Sequence, residues 1–203
     1  MVKRDNCYEA AFEAYLRWLR LPYAPILEDR RAVLPDRTLK SFDFLVWRPG
    51  GPTRWLVDVK GRQFPTGGKQ YWRNWSTIDE LESLAAWEAL LGRTAQALLV
   101  FAYQVVGDRA PLPPDELFPW QGRLYGFVGI SLAHYQTFAR PLSRRWKTVT
   151  LASPLFRTLA RPVRHLWGVA LPASRVGAPA LSRGPAAACL ACAPRDESSA
   201  FLV

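Results

Sequence analysis

Two acidic residues and one lysine lie in neighbouring segments whose composition is typical of β-strands. Asp43 stands between two phenylalanines, and Asp58 precedes Lys60 by two residues within a mostly apolar run. Side chains alternate across a strand, so Asp58 and Lys60 share a face. Carboxylates are ligands that Mg²⁺ prefers, and an ammonium group can hold a water molecule or neutralise developing negative charge. These are the groups that metal-assisted hydrolysis of a phosphodiester needs, with Mn²⁺ as an alternative ion.

The turn Pro49-Gly50-Gly51-Pro52 predicts a hairpin between strands at 41–47 and 54–60. A hairpin centred between the two glycines places Asp43 opposite Asp58 and Ser41 opposite Lys60. Adjacent like charges are destabilising, so the acidic pair indicates a bound cation. The opposite face is then wholly apolar and carries Phe42, Phe44, Val46, Trp55, Val57 and Val59.

A helix over residues 6–20 supplies two further acids. Apolar residues recur at helical spacing, Asn6 is a good N-cap, and Pro22 ends the helix. Glu9 and Glu13 lie one turn apart on one face, and either could orient a metal-bound water. The structural alternative is that Glu9 caps its helix and Glu13 lies on a solvated face. Asp58 and Lys60 could likewise form a surface ion pair of little energetic consequence.

Further along the chain, the pattern predicts a helix from the capping box at Thr77 to about Leu91, closed by Gly92. Buried strands follow at 95–103 and 124–130, then a short helix at 131–139 and a strand at 146–151. Another helix is predicted to start with Ser153 as its N-cap and Pro154 at its first position. We expect one domain over 1–168 and a low-complexity, disordered tail over 169–203.

The order of helix with Glu, strand with Asp, hairpin, and strand with Asp-x-Lys resembles the PD-(D/E)XK nuclease superfamily. The archaeal Holliday-junction resolvases are most similar in layout. The matching segments are Ser41-Phe-Asp-Phe-Leu-Val and Leu56-Val-Asp-Val-Lys-Gly-Arg62, with Phe42 where the superfamily often has Pro. The resemblance implies an α/β, restriction-endonuclease-like αβββαβ core whose mixed central sheet is flanked by helices.

The same resemblance implies a metal-dependent endonuclease acting on nucleic acid, with DNA the expected substrate. It gives Asp43, Asp58 and Glu9 the role of metal ligands and Lys60 that of assisting the attacking water. The spacing to Leu16 favours Glu9 over Glu13 as the helix residue that completes the site. Dimers are common among such nucleases, which leaves a homodimer open.

A narrower resemblance covers Cys7-Tyr-Glu-Ala-Ala-Phe-Glu13. This segment is similar to the signature of the HYExAFE family, bacterial proteins without an assigned function, and the resemblance extends over residues 5–168. Cys7 stands where the family has His, so any role of that His would be lost here or taken by a thiol.

Positive charge is concentrated late in the chain. The net charge is +10, and residues 140–184 hold nine basic residues and no acidic one. Such a block attracts phosphate backbones, although it is also compatible with a solvated basic surface. We expect nucleic-acid contacts from this block and from the basic, aromatic segment after Lys60, at Arg62, Lys69, Arg73, Arg144, Arg145 and Lys147.

Composition narrows the remaining possibilities. No apolar run is long enough to span a membrane, no secretory signal follows Met1, and three cysteines do not form a disulfide framework, so we expect a cytoplasmic protein. Two other functions fit the sequence. A non-catalytic nucleic-acid-binding module predicts salt-sensitive binding that is independent of Asp58, and a protein-interaction module with exposed tryptophans predicts no salt-dependent DNA binding.

Overall fold

The computed structural model describes residues 6–26, 32–33, 38–65 and 72–172. Lys69 and the predicted tail beyond residue 172 lie outside them. The first helix, α1 (Cys7–Trp18), begins after Asn6, whose side chain accepts the backbone N–H of Tyr8 as predicted for an N-cap. No helix in the described part of the chain has the length and apolarity to cross a membrane.

A mixed, seven-stranded sheet forms the centre of the molecule. Its main path runs through β1 (Tyr23–Pro25), β4 (Phe44–Trp47), β5 (Arg54–Phe64), β7 (Ala95–Val105), β9 (Arg123–Ser131) and β12 (Arg161–Pro162), and β8 (Phe118–Trp120) also pairs with β9. The pair β5–β7 is parallel, and the other neighbours are antiparallel. A separate two-stranded ribbon joins β2 (Ala32–Val33) to β3 (Thr38–Leu39).

The predicted hairpin register is confirmed from Phe44 to Trp47, where β4 pairs with β5. Asp43 lies outside this run of paired residues. Phe44 pairs with Val57 and Trp47 with Arg54, as the hairpin centre between Gly50 and Gly51 requires. The backbone N–H of Asp43 donates to Val57 O at 2.9 Å, which is one residue short of the predicted partner. The direct pairs of Asp43 with Asp58 and of Ser41 with Lys60 are therefore absent from the ladder.

Because β4 begins at Phe44 and not at residue 41, Phe42 packs on a different face of the sheet from the predicted one. Phe44, Val46, Val57 and Val59 lie in the core beneath α1, as predicted. Phe42 instead joins the core on the other side of the sheet, where its ring meets Trp87 edge-to-face. The prediction that Phe42 shares a face with Phe44 and Val46 is wrong, because the regular alternation of the strand begins only at Phe44.

The helix α2 (Ile78–Leu91) connects the parallel strands β5 and β7. Its capping box is as predicted: Thr77 accepts the N–H of Glu80 while the Glu80 carboxylate accepts the N–H of Thr77, and Gly92 follows as the C-cap. In such a crossover the first turn of the helix follows the carboxyl end of the first strand. The helix therefore begins near the carboxyl half of β5.

A small second sheet holds the start of α2. It consists of β10 (Arg140–Ser143), β11 (Thr148–Thr150) and β6 (Ser76–Thr77). Between it and β9 lies α3 (Leu132–Phe138), and α4 (Ser153–Leu159) and α5 (Val163–Leu166) follow β11. Two predictions are corrected here: Trp146 lies in a turn before β11, and Ala152 rather than Ser153 occupies the N-cap position of α4.

Candidate active site

An open cleft of about 610 Å³ lies between α1, the carboxyl half of β5 and the start of α2. Four acidic and three basic side chains line it: Glu9, Asp43, Asp58, Glu80, Lys40, Lys60 and Arg62. Four of these seven, namely Glu9, Asp43, Asp58 and Lys60, are residues that the sequence predicts for catalysis. The cleft thus brings together three of the four predicted acids and the lysine, from α1, from β5 and from the residue before β4.

Lys60 is held between two carboxylates at the centre of the cleft. Its Nζ lies 2.8 Å from Asp58 Oδ2 and 3.0 Å from Glu80 Oε1, and only 12% of the side chain is exposed. Burial alone would lower the pKa of Lys60, but the charges and hydrogen bonds of Asp58 and Glu80 raise it above the usual range. The amine is therefore a fixed ammonium group.

Asp43 is buried and tied to both neighbouring strands. Its backbone carbonyl accepts the N–H of Ile26 at 2.9 Å, and its Oδ2 accepts the N–H of Val59 at 2.5 Å. The carboxylate thus continues the pairing of β4 with β5 where the backbone ladder has ended. This explains how a strand-end aspartate is kept at the cleft without a regular strand position.

The two glutamates of α1 have different environments. Glu9 is buried, lines the cleft, and accepts a hydrogen bond from the side-chain amide of Asn6. Glu13 does not line the cleft; it accepts the hydroxyl of Tyr23 at 2.9 Å and lies 3.1 Å from Arg17. Of the two predicted alternatives, the structure brings only Glu9 to the other site residues.

The acids line one cleft without forming a closed ligand set. No group of three or more His, Cys, Asp or Glu side chains within the described ranges is gathered closely enough to hold a metal ion. Mg²⁺ does not require such a cage, because it keeps several waters and is commonly bound by one or two carboxylates together with substrate phosphate. The donor chemistry of Asp43 and Asp58 therefore fits this ion.

Arg62 extends the basic side of the cleft. Its guanidinium lies 4.1 Å from the ring centroid of Trp75 and donates to the carbonyl oxygens of Gly61 and Trp75 at 2.7 and 2.8 Å. An arginine stacked and bonded in this way is ordered before a ligand arrives. Trp75 packs beneath it, so the sequence reading of this segment as both basic and aromatic has a structural explanation.

Four of the other predicted nucleic-acid contacts are described by the structure, and they lie outside the cleft. Arg73 is half-buried and its carbonyl accepts the Tyr103 hydroxyl at 2.9 Å. Arg144, Arg145 and Lys147 are exposed in the turn between β10 and β11. Lys69 is not among the described residues.

Sequence reasoning missed three residues that line the cleft: Glu80, Lys40 and Tyr8. The sequence predicts only a capping role for Glu80. The structure shows that Glu80 caps α2 and also contacts Lys60. The available signal was topological, because the parallel crossover from β5 to β7 brings the first turn of α2 to the strand that carries Lys60. Tyr8 covers Gly61 so closely that a Cβ at that position would lie 2.2 Å from its ring.

Among solved structures, the chain is similar to the Holliday junction resolvase Hjc of the archaeal hyperthermophile Archaeoglobus fulgidus. The similarity has a TM-score of 0.50 at 15% sequence identity and covers 80% of this chain and 98% of that one. The fold is restriction-endonuclease-like. The predicted fold class is thereby confirmed: a mixed central sheet flanked by helices, with the cleft at the carboxyl half of β5.

No protein-family model and no curated protein matches the chain. The likeness of residues 7–13 to the HYExAFE signature therefore stays a prediction. The restriction-endonuclease-like fold is shown by the structural similarity alone, and the chemistry of the cleft has to be argued from its own residues.

Proposed function

We propose that this protein is a metal-dependent nuclease that hydrolyses phosphodiester bonds in DNA. The observation that carries the proposal is Lys60, a buried ammonium group fixed by Asp58 and Glu80 in a cleft that Glu9 and Asp43 also line. Buried charges of this kind are expensive unless they are paired, and they concentrate at functional sites. The similarity to a Holliday junction resolvase supports the same reaction class.

Asp43 and Asp58 are the residues that would hold Mg²⁺ or Mn²⁺, with Glu9 orienting a water in the same shell. A bound divalent ion supplies charge stabilisation at the phosphoryl oxygens and a more acidic water. Asp43 suits this role because its hydrogen bond from Val59 fixes one carboxylate oxygen.

Lys60 would hold the attacking water or neutralise charge on the phosphoryl group. Two carboxylates position it, which matters because Asp58 is also a proposed metal ligand. When Asp58 serves the metal, Glu80 still lies within ion-pair distance of the Lys60 ammonium. Glu80 is thus a positioning residue, and the capping box fixes its own location on α2. Asp58 and Glu80 together would therefore hold Lys60 in the cleft whether or not Asp58 also binds a metal ion.

The substrate would enter with its backbone along the basic side of the cleft. Arg62 is preorganised by Trp75 for a phosphate oxygen, since both its stacking and its hydrogen bonds are in place. The exposed cations of the turn between β10 and β11 would contact the backbone further away. Such contacts make DNA binding strongly dependent on salt.

One observation favours a second function, a non-catalytic nucleic-acid-binding module on the same fold. The Asp58 carboxylate already faces Lys60, and the described residues hold no group of three metal-ligating side chains. This alternative predicts DNA binding that is insensitive to metal and to Asp58→Ala.

The deciding experiment combines calorimetric titration with Mg²⁺ or Mn²⁺ and cleavage of plasmid and branched DNA. We expect metal binding and cleavage in the wild type, and a loss of at least about 1000-fold in cleavage rate for Asp58→Ala and for Lys60→Ala, equivalent to several kcal/mol of lost charge stabilisation. Folded, DNA-binding protein that cuts no form of nucleic acid would overturn the proposal.

The α1 helix offers a matched pair of control variants. Glu9→Gln and Glu13→Gln make the same chemical change one turn apart, but only Glu9 lines the cleft. We expect Glu9→Gln to weaken metal binding and cleavage and Glu13→Gln to leave both unchanged. Equal effects of the two substitutions would remove Glu9 from the proposed site.

A further inference from the structure

The turn between β10 and β11 presents an aromatic ring to solvent. Trp146 is 56% exposed, the largest fraction among the large apolar side chains of the described residues. Its backbone N–H donates to Ser143 Oγ at 3.3 Å, and the Arg145 guanidinium lies 5.2 Å from its ring centroid. Lys147, the next residue, has a left-handed φ of 47°, which is uncommon for a residue other than glycine. The turn therefore has a specific conformation that holds the ring on the outside.

The charged residues next to Trp146 in the sequence indicate which kind of partner its ring would bind. Arg144, Arg145 and Lys147 flank it in the sequence and are exposed, and no acidic residue occurs between residues 140 and 184. An aromatic face among cations matches a polyanion that carries flat apolar groups. Nucleic acid has this chemistry, because phosphates alternate with bases that stack on aromatic side chains.

The turn is attached to the same end of α2 as the cleft. The backbone N–H of Ile78 donates to Lys147 O at 2.9 Å, and Thr148 pairs with Thr77, the N-cap of the helix. Glu80, in the first turn of that helix, contacts Lys60. The turn and the cleft are therefore both anchored to the first turn of α2.

We propose that Trp146 stacks on an unpaired base of the DNA whose backbone occupies the cleft. Bases inside a continuous duplex are covered on both faces by their neighbours, and inserting a side chain between them costs a few kcal/mol of unstacking, so an exposed ring stacks most readily on a base outside the helix. The inference rests on the proposed nuclease function and narrows its substrate to DNA in which a single-stranded segment adjoins a duplex.

The test measures binding of the full chain without divalent metal, so that cleavage plays no part. The probes are a blunt duplex and the same duplex with a single-stranded overhang that carries 2-aminopurine, whose fluorescence is quenched by stacking. We expect quenching with the wild type, and about tenfold or more weaker binding of the overhang by Trp146→Ala with little change for the blunt duplex. Trp146→Phe should retain the quenching.

Leu142→Ala is the matched control, because Leu142 is also exposed on this hairpin but has no ring. It should bind both probes as the wild type does. If Trp146→Ala weakens both probes equally, or leaves both unchanged, the inference is overturned. Wild type that cuts DNA but does not quench would overturn this inference and leave the nuclease proposal standing.

Discussion

This protein has two clusters of largely buried charged side chains. They differ in their balance of acidic and basic groups and in whether they border open space. In one, Glu116 receives the Arg164 guanidinium through both Nε, at 2.7 Å, and Nη2, while His165 Nε2 lies 3.0 Å away. In the other, a single Lys60 ammonium serves both Asp58 and Glu80. The first cluster joins the segment before β8 to α5, and its central pair, Glu116 and Arg164, is called the closed pair below. The second, formed by Lys60, Asp58 and Glu80, lines the cleft and is called the cleft cluster.

The two clusters differ in the ratio of acidic to basic side chains and in the geometry of their ion pairs. The planar fork of arginine matches a carboxylate, so Glu116 and Arg164 satisfy one another in a closed pair. In the cleft, the four acids Glu9, Asp43, Asp58 and Glu80 face three basic side chains. Buried charge by itself therefore does not mark a functional site. The cleft differs by its excess of acid beside open space, which leaves room and charge for the cation of the proposed function.

The largest expected effect on stability comes from breaking the closed pair. We expect Glu116→Ala to lower the free energy of unfolding by about 3–5 kcal/mol, since Arg164 would be left mostly buried without its partner. Glu13→Ala, which breaks the more exposed pair with Arg17, should cost less than about 1 kcal/mol. Urea unfolding measures both.

The Glu116→Ala variant also tests whether the Glu116 cluster is purely structural. Folded Glu116→Ala protein should cleave DNA at the wild-type rate at a temperature well below its unfolding transition. A loss of cleavage without a loss of stability would place Glu116 in the site and end the contrast between the two clusters.

The sequence predicted the cleft cluster better than the closed pair, for physical reasons. Asp58 and Lys60 share a strand face by simple alternation, and Thr77 and Glu80 form a capping box whatever surrounds them. Glu116 and Arg164 are distant in the chain and meet only through tertiary packing, which no local pattern encodes. Phe42 is mispredicted for a related reason: the pairing just before β4 is irregular, with the Asp43 N–H donating to Val57 O and the Asp43 side chain accepting the N–H of Val59.

A smaller effect is expected at the packing between α1 and β5 beside the cleft. In Gly61→Ala, the new Cβ would lie 2.2 Å from the Tyr8 ring, so the ring must move or α1 and β5 must shift apart. We expect a loss of about 1–3 kcal/mol in the free energy of unfolding, together with weaker cleavage, because Glu9 and Lys60 sit on the two displaced elements. Glu116→Ala, in contrast, should affect stability alone.

A double-mutant cycle identifies the cause. Tyr8→Ala removes the ring that the new methyl group would meet, so Gly61→Ala should destabilise a Tyr8→Ala background far less than it destabilises the wild type. Additive losses would show that the steric explanation is wrong.

The smallest expected effect is a pH dependence that belongs to the cleft cluster. Burial alone would raise the pKa of Glu80, but Lys60 and the hydrogen bonds from Thr77 and Ser76 lower it from 4.5 to about 2. The resulting stabilisation is present above pH 4.5 and is lost as the pH falls towards 2. Glu80→Gln should therefore be less stable than the wild type at neutral pH, and the difference should shrink as the pH falls through this range.

Urea unfolding between pH 7 and pH 2 measures this difference, and Glu82→Gln, at an exposed position on the same helix, controls for the loss of one charge. We expect Glu82→Gln to follow the wild type at each pH. A gap between wild type and Glu80→Gln that stays constant down to pH 2 would mean that the Glu80 charge contributes nothing to stability. Lys60 would then depend on Asp58 alone, and the cleft cluster would be a simple ion pair like the one at Glu116.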